Sequence, residues 1–151
     1  MLTDLLLAIA HHLLIFALFG IIIIMEMVML KPDMTRAALF RLARIDAAYG
    51  IIAALILIVG FSRVYFGLKG AAFYEQNPVF WLKIAAFVAV GLFSVLPTIR
   101  FIQWRRAATA DPAFRPDPAL IVATKRFIHY EGMAFALIPI FAAMMARGVG
   151  L

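Results

Sequence analysis

The sequence predicts an all-α protein, an integral membrane four-helix antiparallel bundle, and three observations predict it. Of 151 residues, 66% are hydrophobic and 15% charged, with a mean hydropathy of +1.04, which leaves too little polar surface for a water-soluble domain. Apolar stretches recur four times, with cores free of Asp, Glu, Lys and Arg at Leu5–Met25, Ala47–Ser62, Ile84–Ile99 and Gly132–Ala146. Two connections are basic: Lys31, Arg36, Arg41 and Arg44 lie in the first, and Arg100, Arg105, Arg106, Arg115, Lys125 and Arg126 in the other. Loops of that kind stay in the cytoplasm.

These features predict a single four-span domain over residues 1–151, with spans at about 5–30, 45–66, 79–100 and 127–147. Both termini and the connection at 67–78 then face the periplasm of a bacterial inner membrane. The amino terminus, MLTD, is acidic where a signal peptide is basic, and the apolar run after it is long, so the first span is read as retained. Pro32-Asp33 ends that span. Thr35 is placed to cap a second helix that starts at a cytoplasmic foot through Arg36 and Arg44. Gly67, Gly70 and Asn77-Pro78 break the outer connection, where Phe73, Tyr74, Phe80 and Trp81 make up an expected interfacial aromatic belt. Asp117-Pro118 reads as N-cap and first residue of the last helix. No internal repeat, low-complexity tract or second domain is visible.

Cysteine is absent, which excludes disulfides, thiolate-ligated haem, Cys-held iron–sulfur clusters and c-type haem attachment. The net charge of +6 resides in the loops, where it sets topology and meets lipid headgroups of the bilayer; nucleic acid is not an expected partner.

A membrane-crossing helix needs about 20 residues, and the last three charge-free cores are shorter. Asp46, Arg63, Lys83 and Glu131 therefore lie within or at the edge of the membrane, where ionisable groups are costly and mark function. Helix direction sorts the polar residues into two layers. His11, His12, Arg63 and Lys83 share the outer level, while Glu26, Asp46, Tyr49, His129 and Glu131 share the inner one. At 1.5 Å per residue the layers are roughly 20 Å apart, so His129 is too far to bind the same iron as His11 or His12.

The outer layer has the parts of a haem b site: an imidazole for iron, a slot between helices and cations for the propionates. Adjacent helical residues point about 100° apart, so one of His11 and His12 faces the iron. The stripe His12, Phe19, Glu26 favours His12. On the second helix Tyr49, Ala53, Ile56, Gly60 and Arg63 share a face whose small residues leave room for a flat ring. Arg63 is the expected propionate partner, and Lys83 is either a second axial ligand or another propionate contact.

Structural roles compete with these. Arg63 and Lys83 at span ends serve equally as orientation anchors. Asp46 with Arg41 or Arg44, and Glu131 with Arg126, are expected local ion pairs, and His129 beside Glu131 is a candidate for proton exchange. Met25, Met27 and Met29 invite a copper reading, but residues at alternate positions do not share one helix face.

The segments AHHLL, RLARIDAAYG, FWLK and RFIHYEG carry a resemblance to the HemJ-type protoporphyrinogen oxidases and to the CopD-like membrane domain. The chain looks closer still to a bacterial four-span membrane family of unknown function in that neighbourhood. The HemJ resemblance implies haem b held by His11 or His12, with Lys83 as the essential lysine opening the third span, and oxidation of a tetrapyrrole, protoporphyrinogen IX. The chain departs from that pattern where it shows MEMVMLKPD in place of a Leu-Pro-Arg late in span one, and SVLP in place of a His-Gly in span three. The favoured expectation is therefore a haem b redox protein exchanging electrons with a quinol or another small reductant, ahead of porphyrinogen oxidation. The others are a cofactor-free scaffold or subunit, including one that holds a homo-oligomer together, and a CopD-like copper carrier.

Overall fold

The computed structural model describes residues 1–31 and 33–150, and for Val28 and Met29 the backbone alone. Its elements are α1 (Leu2–Ile23) continued by a π-helical segment (Ile24–Met29), α2 (Arg36–Phe66), a short α3 (Ala71–Glu75), α4 (Pro78–Ala110) and α5 (Pro118–Ala146). There is no strand among the described residues. Pro32 of the expected Pro32-Asp33 stop lies outside the described residues, and Asp33 is in a turn.

Four helices are long and apolar enough to cross a membrane: Leu2–Met27, Arg36–Phe66, Pro78–Ala110 and Pro118–Ala146. With 31, 33 and 29 residues, α2, α4 and α5 are each longer than a hydrocarbon core of about 30 Å requires. They extend past the expected span limits at the basic end, which converts much of both basic connections into helix. The ends are capped locally. Thr35 Oγ1 accepts from the Ala38 amide at 3.3 Å, Asn77 Oδ1 from Val79 at 2.8 Å and Asp117 Oδ1 from Ala119 at 2.8 Å. Pro78 and Pro118 occupy first-turn positions, where no amide donor is missed.

Around the bundle α1 packs on α2 and α5, and α4 packs on the same two helices, so α1 faces α4 across the diagonal. Neighbours run antiparallel. His11 of α1 meets Gly60 of α2, and Asn77 Nδ2 at the start of α4 donates to the Val149 carbonyl beyond α5 at 3.2 Å. At the basic end, Arg36 Nε donates to the Ala108 carbonyl at 2.9 Å, and Arg100 Nη1 donates to Thr124 Oγ1 at 2.9 Å. Long cationic side chains thus close the helix feet against one another.

Leu18, Ile22, Leu42, Ile56, Val90, Phe101, Ile128 and Phe135 fill the core. The outward surface is apolar on all four long helices, with Phe16, Ile58, Leu92 and Ile140 more than half exposed. That surface is the lipid contact of a membrane-spanning bundle. The aromatic belt is only partly realised. Tyr74 and Phe80 are buried with Val64 in a small second cluster, and Trp81 stands 55% exposed, its Nε1 donating to the Glu75 carbonyl at 3.0 Å.

Sidedness is open to a direct measurement. With the basic loops held inside, Thr3→Cys and Val149→Cys should react with an impermeant thiol reagent from the periplasmic side, and Ala113→Cys should not. Ala113 is exposed in the α4–α5 connection, unlike the buried Ala108. Labelling confined to Ala113→Cys in intact cells reverses the orientation.

Candidate functional site

The two adjacent histidines diverge, with ring centroids 6.4 Å apart and an interplanar angle of 85°. His12 is exposed, and its Nδ1 is 2.6 Å from the Ala8 carbonyl, to which the N–H donates within its own helix. His11 turns onto α2. Its Cε1 lies 3.2 Å from where a Cβ on Gly60 would sit, and its Nδ1 is buried with no hydrogen-bond partner.

This corrects the expectation that the stripe His12, Phe19, Glu26 carries the inward histidine. Seven-residue spacing drifts about 20° per step on a straight helix. Phe19 stacks on Phe135 at 5.3 Å and Glu26 reaches His129, so the stripe follows the α5 edge of α1 and its outer end leaves the bundle at His12. The seam with α2 falls to His11 because Gly60 has no side chain to fill it.

Arg63 is half-buried one turn beyond Gly60, and its Nε is buried without a hydrogen bond. Lys83 comes from the diagonal helix α4, with Nζ 5.2 Å from the centre of the Phe80 ring. Both are near enough for their charges to act on the His11 imidazole. Among the described residues neither is paired with a carboxylate, the one such pair being Glu26 with His129. Lys69 is apart from them, exposed and 4.3 Å from the centre of the Phe73 ring. The layer near the termini thus concentrates an imidazole, a guanidinium and an amine around unpaired nitrogen. Such a set suits an anionic ligand that also presents a metal.

Among the described residues no three His, Asp or Glu side chains gather as a metal site.

At the other layer the expected ion pairs are replaced. Asp46 is buried and accepts from Thr98 Oγ1 at 2.9 Å, while Arg41 and Arg44 are exposed. Glu131 is 1% exposed and neither carboxyl oxygen has a hydrogen-bond partner, while Arg126 is exposed. Tyr49 is buried beside Glu131. His129 is not Glu131's partner; its Nδ1 lies 3.0 Å from Glu26 Oε1, across the α1–α5 seam. Met25 is buried and Met27 is 71% exposed, so these two methionines diverge as their spacing requires; the Met29 side chain lies outside the described residues.

Two features escaped sequence reasoning. Thr98 was legible, one helical turn beyond Ser94 on α4 and level with Asp46. The π-helical segment that carries Glu26 had no signal; its wider turn re-aims a side chain, and such turns recur at functional positions.

A family model described as a predicted membrane protein, DUF2214, matches residues 3–150. No curated protein and no solved structure matches the chain. With four membrane-crossing helices inside a match that spans nearly all of its length, the chain belongs to the DUF2214 family of predicted membrane proteins.

Proposed function

We propose that this protein binds haem b in the layer near its termini and exchanges electrons with a small membrane-soluble partner such as a quinol, in a bacterial inner membrane with both termini periplasmic. The observation that carries the reading is the buried, unpartnered Nδ1 of His11 in a layer that also holds Arg63 and Lys83, neither of them in an ion pair among the described residues although Asp4 lies at the same end of the bundle. When bound, haem supplies one-electron transfer.

The chain's own residues have distinct tasks. His11 would supply a nitrogen to the iron, and Gly60 sets how closely its ring approaches α2. Arg63 would hold a propionate through charge-assisted hydrogen bonds in a setting that screens them little. Lys83, on the diagonal helix α4, would either bind the iron or add a second cation for the propionates. The lipid-facing surface excludes water and admits an apolar partner. Porphyrinogen oxidation ranks lower, because a second polycarboxylate needs cations of its own and Lys69 stands apart from the buried pair.

Protein purified from haem-replete cells should show a Soret band. A colourless preparation that takes up no added haem overturns the reading and leaves the scaffold and copper-carrier alternatives, which metal analysis separates. Arg63→Gln should keep the band position but speed haem loss. Lys83→Met should shift the Soret position or the redox potential if the amine binds iron, and should affect only retention if it meets a propionate. If neither variant changes spectrum, potential or retention, both residues are interfacial anchors.

A further inference from the structure

The layer nearer the basic end is independent of the haem reading and contains the most deeply buried ionisable group of the site. We propose that Glu131 is a proton-binding site inside the bundle, supplied from the basic end through Asp46.

Glu131 projects from α5 into the core with 1% exposure, and both carboxyl oxygens lack hydrogen-bond partners. An ionised carboxylate in that position carries a charge that nothing compensates, whereas the neutral acid costs far less. The ionisable groups near it come from α2, and those on the neighbouring helices have partners of their own. From α2 come Tyr49, whose hydroxyl lies beside the Glu131 carboxyl, and Asp46, one turn nearer the basic end. From α4, Ser94 lies beside Tyr49. From the π-helical end of α1, Glu26 is engaged by His129 of α5. Among the described residues no cationic side chain pairs with Glu131.

A groove opens onto Asp46, one helical turn from Tyr49. Asp46 and Thr98 line an open groove between α2 and α4, together with Gly50, Ile102, Arg105 and Arg106. Gly50 leaves the groove unobstructed, since nothing lies within 4 Å of where its Cβ would be. On this route Asp46 takes a proton from water in the groove. With a side-chain rotation or a bridging water closing the gaps to Tyr49, its oxygen accepts that proton as its own hydroxyl hydrogen passes to the Glu131 carboxylate, which leaves Tyr49 neutral, Asp46 ionised and Glu131 protonated. A metal cation is the poorer occupant: hard cations take six or more oxygen ligands, and no cluster of three acidic or histidine side chains forms among the described residues.

Infrared spectroscopy on the purified full chain tests the site whether or not haem is present. The carbonyl stretch of a protonated carboxyl should be visible at neutral pH, should vanish in Glu131→Gln, and should shift on transfer to deuterated water. Asp46→Asn should retain the Glu131 band but slow its deuterium shift roughly tenfold or more, the scale of losing one proton-transfer group. His129→Gln, which breaks the pair with Glu26, should leave that rate unchanged. If Glu131→Gln does not fold, Glu131→Asp provides the assignment by displacing the band. An undiminished band in Glu131→Gln overturns the proposal, as does an unchanged Glu131 signal that responds instead to added sodium or potassium. Slowing in His129→Gln with none in Asp46→Asn overturns the route.

Discussion

His11→Ala should abolish the haem spectrum, and His12→Ala should leave it intact. The asymmetry is large because the two rings have different surroundings. His12 is exposed and its Nδ1–H is engaged by the Ala8 carbonyl, so its removal frees nothing inside the bundle. His11 has a buried nitrogen without a hydrogen-bond partner among the described residues, between α2 and the charges of Arg63 and Lys83. If His11 is the residue that would bind the iron, its removal would leave haem held by Arg63, Lys83 and apolar packing. Optical spectra of the two single variants, with helix content checked by circular dichroism, are sufficient. Full haem content in His11→Ala would falsify the assignment; loss in His12→Ala alone would restore the choice made from the sequence stripe.

Gly60→Leu should empty the same site with every ligand residue still present. A Cβ at Gly60 would sit 3.2 Å from His11 Cε1 and 3.7 Å from Nδ1. That spacing lets an alanine in only if the imidazole gives way slightly, and a leucine must displace the ring or part α1 from α2. Overpacking of this kind costs about 1–3 kcal/mol in well-packed interiors. Within a helix pair held by close approach, the cost falls on the seam itself. The expected series is near-normal haem in Gly60→Ala and none in Gly60→Leu, with helicity retained in both. Gly50→Leu is the control, since nothing lies within 4 Å of its Cβ position. Equal haem content in Gly60→Leu and the unaltered protein would mean that His11 is not held against α2 when the ligand binds.

The helices were legible because their causes are local. Apolar runs of the required length, Thr35, Asn77 and Asp117 as caps, and proline in the first turns of α4 and α5 act over a few residues, and each is visible in the chain. Helix rise and direction also sort the polar residues by level along the bundle without any knowledge of neighbours. The helices run further than the expected spans at their basic ends, where their feet find partners, as Arg36 does at the Ala108 carbonyl.

The sequence by itself determined the fold class, the membrane setting and the count of long apolar helices, because hydrophobic length and helix periodicity are properties of single segments. Only the tertiary structure decided which face of each helix is inward and which polar groups meet. Turning α1 to place His11 against Gly60 sends His12 outward, and the same turn, with the π-helical widening near Glu26, brings that carboxylate to His129, 103 residues away. It likewise pairs Asp46 with Thr98 and leaves Glu131 without a hydrogen-bond partner in the core. Rotation of a helix about its axis is set by packing against the others, and in a bundle whose lipid-facing surface is as apolar as its core, no segment's own pattern specifies it.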